Sequence, residues 1–255
     1  MTCKKTLVWA VSILWIISLF ACAGTQAKRN KQAQVTRSLG EAYMQQGNIT
    51  EALREFLKAE KLNPKDHLLH NDLGLVYMAK ERLEKAEFHF KKAIDLRAEY
   101  APAKNNLGTV YLAKKDWDAA IAQFQTVAGD ILYATPHYPL TNMGFAYYNK
   151  KDYASAEKYY QEALDLRPEF GLALRGLGKT YMALNKLPEA ISTLEKAMKA
   201  APQSADSQMD LANAYHMQGQ TQKALFAYRR VTTLAPNSPL AETAKREIIK
   251  IQNQQ

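Results

Sequence analysis

Hydrophobic positions between residues 33 and 238 recur at the three- and four-residue spacing of one helix face, and the arrangement returns every 34 residues. Tyr43, Tyr77, Tyr111, Tyr147, Tyr181 and Tyr215 share one phase. Three residues before them stand Gly40, Gly74, Gly108, Gly144 and Gly178, with Ala212 in the sixth slot. Ala52, Ala86, Ala120, Ala156, Ala190 and Ala224 follow nine residues after the tyrosines. No stretch reads as a strand. The pattern predicts six helix pairs, at 33–66, 67–100, 101–136, 137–170, 171–204 and 205–238.

The small residues carry a packing message. A glycine inside a helix costs about 1 kcal/mol relative to alanine, so five at one phase imply that a partner helix needs the missing side chain's space. The aligned alanines offer a small matching surface on each second helix. The tyrosines, with Phe56, Phe90, Phe124, Tyr160, Leu194 and Tyr228, are expected to fill the space between neighbouring pairs. Pro64, Pro168, Pro202 and Pro236 suit the ends of second helices, because proline lacks a backbone donor and clashes with the preceding turn. Ala98 and Leu132 stand where two further prolines would fall. Gly47, Asn185 and Gly219 suit the left-handed residue that closes a first helix. Leu240, Ala244, Ile248 and Ile251 predict a closing helix over 239–255 with one apolar face, the cap such an array needs.

The repeated L-G-x-x-Y, A-x-x-x-F and P signature resembles the tetratricopeptide repeat. That likeness implies an all-α fold, a right-handed superhelical solenoid of six repeats with a C-terminal capping helix, whose first helices line the concave side. One interval departs from the rule. "VAGDILYATPHYPLTNMG" at 127–144 stretches the period to 36 residues, and reads as a slightly long second helix followed by a lengthened turn.

The N-terminus is of a different kind. Lys4 and Lys5 precede fourteen uncharged residues, Leu7 to Phe20, too few to cross a ~30 Å hydrocarbon core comfortably. This reads as a secretory signal over 1–21. Leu19-Phe20-Ala21-Cys22 resembles a bacterial lipobox, which implies a lipid on Cys22 as the first mature residue. Cys3 leaves with the signal, so Cys22 has no disulfide partner in the exported chain. Stable attachment takes more than one acyl chain, at ~0.8 kcal/mol per buried CH₂. The polar stretch 22–32 reads as a flexible tether reaching about 40 Å at most. Loss of the two lysines takes the formal charge from +9 to +7. Basic residues alternate with acids and form no stripe, which argues against nucleic acid as a partner.

Little here could catalyse a reaction, and no cofactor, metal or small-molecule substrate is expected. His67 and His70 lie three apart on one helix face but lack a third ligand in register, and read as solvated. His89, His137 and His216 join no nucleophile or carboxylate that the sequence can place. What remains is the surface of the first helices. Repeat positions 2, 5, 9 and 12 form one face. Repeat two supplies Leu68, Asn71, Leu75 and Met78, and repeat three supplies Pro102, Asn105, Thr109 and Leu112 with Asn106 beside them. Tyr138, Thr141, Phe145 and Tyr148, with Asn142, come from repeat four. Leu172, Arg175, Lys179, Met182, Met209, Asn213, His216 and Met217 complete the row. Amides can pair with a peptide backbone and Met or aromatic groups give adaptable apolar contact. The candidate ligand is therefore an extended peptide or an apolar helix face of a protein partner.

The lipobox, the repeat count and the turn Asp130, Leu132, Tyr133, Pro136, followed by Asn142, Gly144 and Ala156, resemble the PilW/PilF family of type IV pilus lipoproteins. The resemblance implies a pilotin, lipid-anchored in the outer membrane and facing the periplasm, that assists localisation and multimerisation of the secretin or contacts another pilus component. Ala23 and Gly24 follow the lipobox Cys without the Asp that retains enteric lipoproteins in the inner membrane. A general cell-envelope adaptor for peptidoglycan enzymes or polysaccharide export is the alternative.

Overall fold

The computed structural model describes residues 26–130 and 133–253. The signal, Cys22 and Leu132 lie outside the described residues. Thirteen helices and no strand occur among them. The first helices of the pairs are α1 (26–45), α3 (His67–Ala79), α5 (Ala101–Ala113), α7 (His137–Asn149), α9 (Gly171–Ala183) and α11 (Ala205–Met217). The second helices are α2 (Ile49–Leu62), α4 (Leu83–Leu96), α6 (Trp117–Ala128), α8 (Tyr153–Leu166), α10 (Leu187–Ala200) and α12 (Thr221–Leu234), and α13 (Pro239–Asn253) closes the array. None of the described helices is long and apolar enough to cross a membrane. The chain divides into two compact units, one ending at Val110 and one beginning at Tyr111, so the division falls inside α5.

In the first unit α2 packs on α3 and α3 on α4. The space left by Gly40 and by Gly74 is taken by a ring from the same helix pair. A Cβ on Gly40 would lie 2.5 Å from Phe56 Cε1, and one on Gly74 would run into the ring of Phe90. The sequence had placed these rings between neighbouring pairs; they lie within a pair, because the ring rather than the aligned alanine fills the glycine notch. Helix α1 begins by residue 26, so residues 26–32 are helical where a flexible tether was expected. Gln, Ala, Lys and Arg are good helix formers, and the Arg29 guanidinium donates to the Lys61 carbonyl at 3.3 Å. Ala33 is buried.

In the second unit consecutive helices pack from α6 to α13, and α7, α9, α11 and α13 also touch in succession. Tyr160 and Leu194 repeat the glycine-notch packing against Gly144 and Gly178, at 2.8 Å and 2.5 Å from the Cβ position. The six aligned alanines of the two units are fully buried. The cap α13 buries Ala241, Ala244 and Ile251, and its Leu240 and Ile248 pack against the cluster that holds Tyr228 and Val231.

Turns obey the period more strictly than residue identity does. Gly47, Asn185 and Gly219 take positive φ as expected, but Glu81, Lys115 and Lys151 do so at the same phase. Helix packing holds these three in a region that costs an L-residue roughly 1–2 kcal/mol. Likewise α4 stops at Leu96 before Ala98, at the phase where α2 stops before Pro64.

The long interval resolves differently from its sequence reading. Helix α6 has 12 residues, fewer than the 14 of α4 or α8, so the second helix is short and not long. Residues 129–136 then form the connection, twice the length of 97–100 between α4 and α5. Tyr133 in this turn is half-buried, and its N–H donates to the Asp130 carbonyl at 3.0 Å. Tyr133→Ser is expected to cost about 1 kcal/mol, roughly half the transfer energy of a fully buried aromatic, read as a lower thermal midpoint. An unchanged midpoint with a lost partner would make Tyr133 a docking residue instead of a packing one.

Candidate protein-binding groove

Helices α7, α9 and α11 present their first-helix faces side by side in the second unit. Between α7 and α9 lies an open hollow of about 300 Å³, lined by Asn142, Phe145, Tyr148, Leu172, Arg175 and Lys179 among others. A second hollow of about 330 Å³ shares Tyr148 and Lys179 with the first and continues to Met182, Asp210, Asn213 and Met217. The two form one groove. Phe145, Leu172 and Met217 expose 44%, 61% and 51% of their surfaces, which makes an apolar row across three helices.

Polar side chains fix the shape of this row. Arg175 Nε pairs with Asp210 at 2.5 Å, and its terminal nitrogen with Asp206 at 3.2 Å, tying α9 to α11. Burial pushes the Asp210 carboxyl above its ordinary range, and Arg175 opposes the shift. Lys179 Nζ sits 5.2 Å over the Tyr148 ring. The Tyr228 hydroxyl donates to Asn213 Oδ1 at 2.8 Å and holds that amide from below. Trp117 meets Phe145 edge-on at 6.2 Å.

Several expected groove residues lie elsewhere. Met209 is buried in the core with Leu211 and Tyr215, whereas Thr141, although buried with its hydroxyl donating to the His137 carbonyl, still lines the first hollow. Both occupy repeat position 5, as does Arg175, which also lines the first hollow. Position 6 contributes as well, and Asn142, Gly176 and Asp210 line the hollows from it. Leu112 packs against the cluster of Phe124 and Met143. Tyr138 is 41% exposed and lies against His137 and Phe170 rather than in either hollow.

In the first unit the corresponding strip is polar and internally bonded. Asn106 donates to Asn71 at 2.9 Å, and Asn71 is 6% exposed. Thr109 donates to the Asn105 carbonyl, while Asn105 Oδ1 is buried without a hydrogen-bond partner. Leu68, Leu75 and Met78 are half-buried. Arg37 lies 3.2 Å from Glu41 and from Asp66, and 3.8 Å from Asp72. Burial and then the Glu41 charge push the Asp72 carboxyl up to about 7, against the pull of Arg37.

Four lining residues were missed, Tyr160, Gly176, Ala183 and Asp210. Tyr160 belongs to a second helix and read as core. It reaches the hollow because Gly176 carries no side chain; a Cβ there would run into the Tyr160 ring. The first glycine in "RGLGKTY", which stands outside the repeated phase, was the available signal. Outside the groove, Glu60, His70 and His89 bring three ligand atoms within 4.8 Å of one another, the described grouping best suited to a metal.

Comparisons with known proteins agree with this architecture. Tetratricopeptide-repeat profiles match residues 40–81, 69–100, 148–206 and 186–248. The solved structure of PilW, a widely conserved type IV pilus biogenesis factor, superposes with a TM-score of 0.77 at 22% identity, covering 83% of this chain and 97% of that one. PilF of Pseudomonas aeruginosa gives a TM-score of 0.74 at 20% identity, over 86% and 99%. Among curated proteins, the CTR9 homolog of Arabidopsis thaliana is 28% identical over 119 residues, which is 45% of this chain and 11% of that protein. Such repeats are generally non-catalytic surfaces for other proteins. With the period, the glycine-notched helix pairs and the matched profiles taken together, the chain belongs to the tetratricopeptide-repeat proteins.

Proposed function

We propose that this chain is a lipid-anchored scaffold of the outer membrane, facing the periplasm, that acts as a pilotin for a type IV pilus secretin. An apolar segment of the partner lies across α7, α9 and α11. The observation that carries this reading is the extent of the likeness to PilW and PilF, which covers 83% and 86% of this chain and 97% and 99% of those proteins. The Arabidopsis protein, by contrast, is matched over a small fraction of its length.

The groove has suitable chemistry for such a partner. Phe145, Leu172 and Met217 offer exposed apolar contact across three helices. The Asn142 and Asn213 amides flank them and can pair with an extended backbone. Arg175 is neutralised by two aspartates, so the groove does not select for an acidic terminus.

Phe145→Ser with Leu172→Ser tests the reading. Both residues are exposed, so helix content by circular dichroism should not change. Loss of two central apolar contacts is expected to weaken the partner by about 2–4 kcal/mol, the range for such anchors, and secretin multimers should fall in cells. A double variant that supports secretin assembly like the wild type would move the site off this groove. Loss of a different envelope partner with intact secretin would favour the general adaptor.

A further inference from the structure

We propose that Glu60, His70 and His89 form a binding site for a divalent transition-metal ion of the zinc class. Helices α2, α3 and α4 each contribute one ligand to it, within the first unit. His70 is fully buried, so it is not the solvated histidine that the sequence suggested, and His89 is 7% exposed. His67, its expected partner, turns away to the Tyr100 ring and Arg97.

The hydrogen bonds settle which nitrogen faces the site. His70 Nε2 is 2.9 Å from the Pro64 carbonyl, which can only accept, so Nε2 carries the proton. Nδ1 therefore keeps a lone pair, and it points at His89 Nδ1 across 3.1 Å. Metal-bound imidazoles characteristically donate their other nitrogen to such an oxygen, which orients the ring. Two imidazole nitrogens on one tetrahedral zinc, each at ~2.0–2.1 Å, stand about 3.3 Å apart. The observed separation is within a few tenths of an ångström of that. Glu60 Oε1 lies 3.9 Å from His70 Nδ1, and its side chain, 25% exposed, has room to close the remainder.

Stacking holds the donors in place. The His89 ring lies parallel to those of His70 and Tyr77, each at 5.3 Å, and Phe88 meets it edge-on. Burial depresses the basicity of both imidazoles, that of His89 down to about 4, so both are neutral ligands at neutral pH. One group works against an ion: Lys92 Nζ is 3.9 Å from Glu60 Oε1 and must release that carboxylate. Without metal, His89 Nδ1–H donates to His70 Nδ1 and the pair is a hydrogen-bonded core contact. Two histidines and a carboxylate suit zinc, copper or nickel better than magnesium or calcium.

Cobalt(II) titration of the full chain, purified without a polyhistidine tag, tests the site. The expected result is a visible d–d absorption that saturates at one equivalent and is displaced by zinc, with zinc raising the unfolding midpoint. Glu60→Gln and His89→Gln should each weaken binding by more than about tenfold, whereas His67→Gln should not. Glu60 is partly exposed, so its variant keeps the test open if His89→Gln fails to fold. Absence of cobalt absorption by the wild type overturns the proposal, as does equal affinity of the wild type and Glu60→Gln.

Discussion

Phe90→Ala will lower the stability of the first unit by about 3–5 kcal/mol, the range for removing a fully buried aromatic side chain. Phe90 is completely buried, and its ring fills the notch at Gly74. That notch makes a sharper result possible. Gly74→Ala alone should cost roughly 1–3 kcal/mol, because its Cβ runs into the ring and a packed core yields little. In the Phe90→Ala background the same change has room, and should recover about 1 kcal/mol of helix propensity. The two substitutions are thus coupled with opposite signs in the two backgrounds. Urea denaturation of the four proteins measures the coupling, and additivity within about 0.5 kcal/mol would refute the notch. Because repeats contact only their neighbours, hydrogen exchange should quicken in α3 and α4 and leave α11 and α12 unchanged.

The second large effect concerns the anchor proposed on Cys22, where loss of one sulfur should change the protein's compartment. A diacylated cysteine buries two long chains at ~0.8 kcal/mol per CH₂, whereas a single chain gives only marginal, reversible attachment. Cys22→Ser removes the acceptor for all of them. The variant should carry no label from a fatty-acid analogue and should vanish from the outer-membrane fraction of a density gradient. It should also run as a longer precursor, because lipidation precedes cleavage in bacterial lipoproteins with a lipobox. Label retained on the variant would exclude Cys22 as the site.

Fold and site were legible to different depths. The array could be read because its cause is local and repeated. Four helix pairs show the same notch, at Gly40, Gly74, Gly144 and Gly178, so one packing solution prints itself on the chain at a regular interval. The helix starts at residues 67, 101, 137, 171 and 205 follow that interval, the 36-residue step to 137 apart, even where the expected proline or glycine is missing. Once neighbouring helices are packed, Lys115 and Lys151 can be held at positive φ without a glycine. The groove was legible only to within one helical position. Asn142, Phe145, Tyr148, Arg175, Lys179, Met182 and Asn213 line its hollows, whereas Met209 and Asn71 are buried. Positions 5 and 6 differ by about 100° around a helix, and periodicity alone does not say which points out. Neighbouring first helices decide it residue by residue, covering Met209 and Asn71 at position 5 but leaving Arg175 at the same position to line the first hollow.

What the amino-acid sequence determined by itself is therefore whatever recurs: the helix pairs, their spacing, the buried alanines, the capping helix and the family. Tertiary structure decided whatever depends on one side chain meeting another across elements. It set Phe90 into the Gly74 notch, made room for Tyr160 beside Gly176, shortened α6 where the period lengthens, and brought His70 to His89 across nineteen positions of chain. The physical reason is range. Helix formation and amphipathic burial act over a turn or two and leave a periodic mark. Ligand geometry and groove shape depend on distances between separate helices, which no single stretch of sequence records.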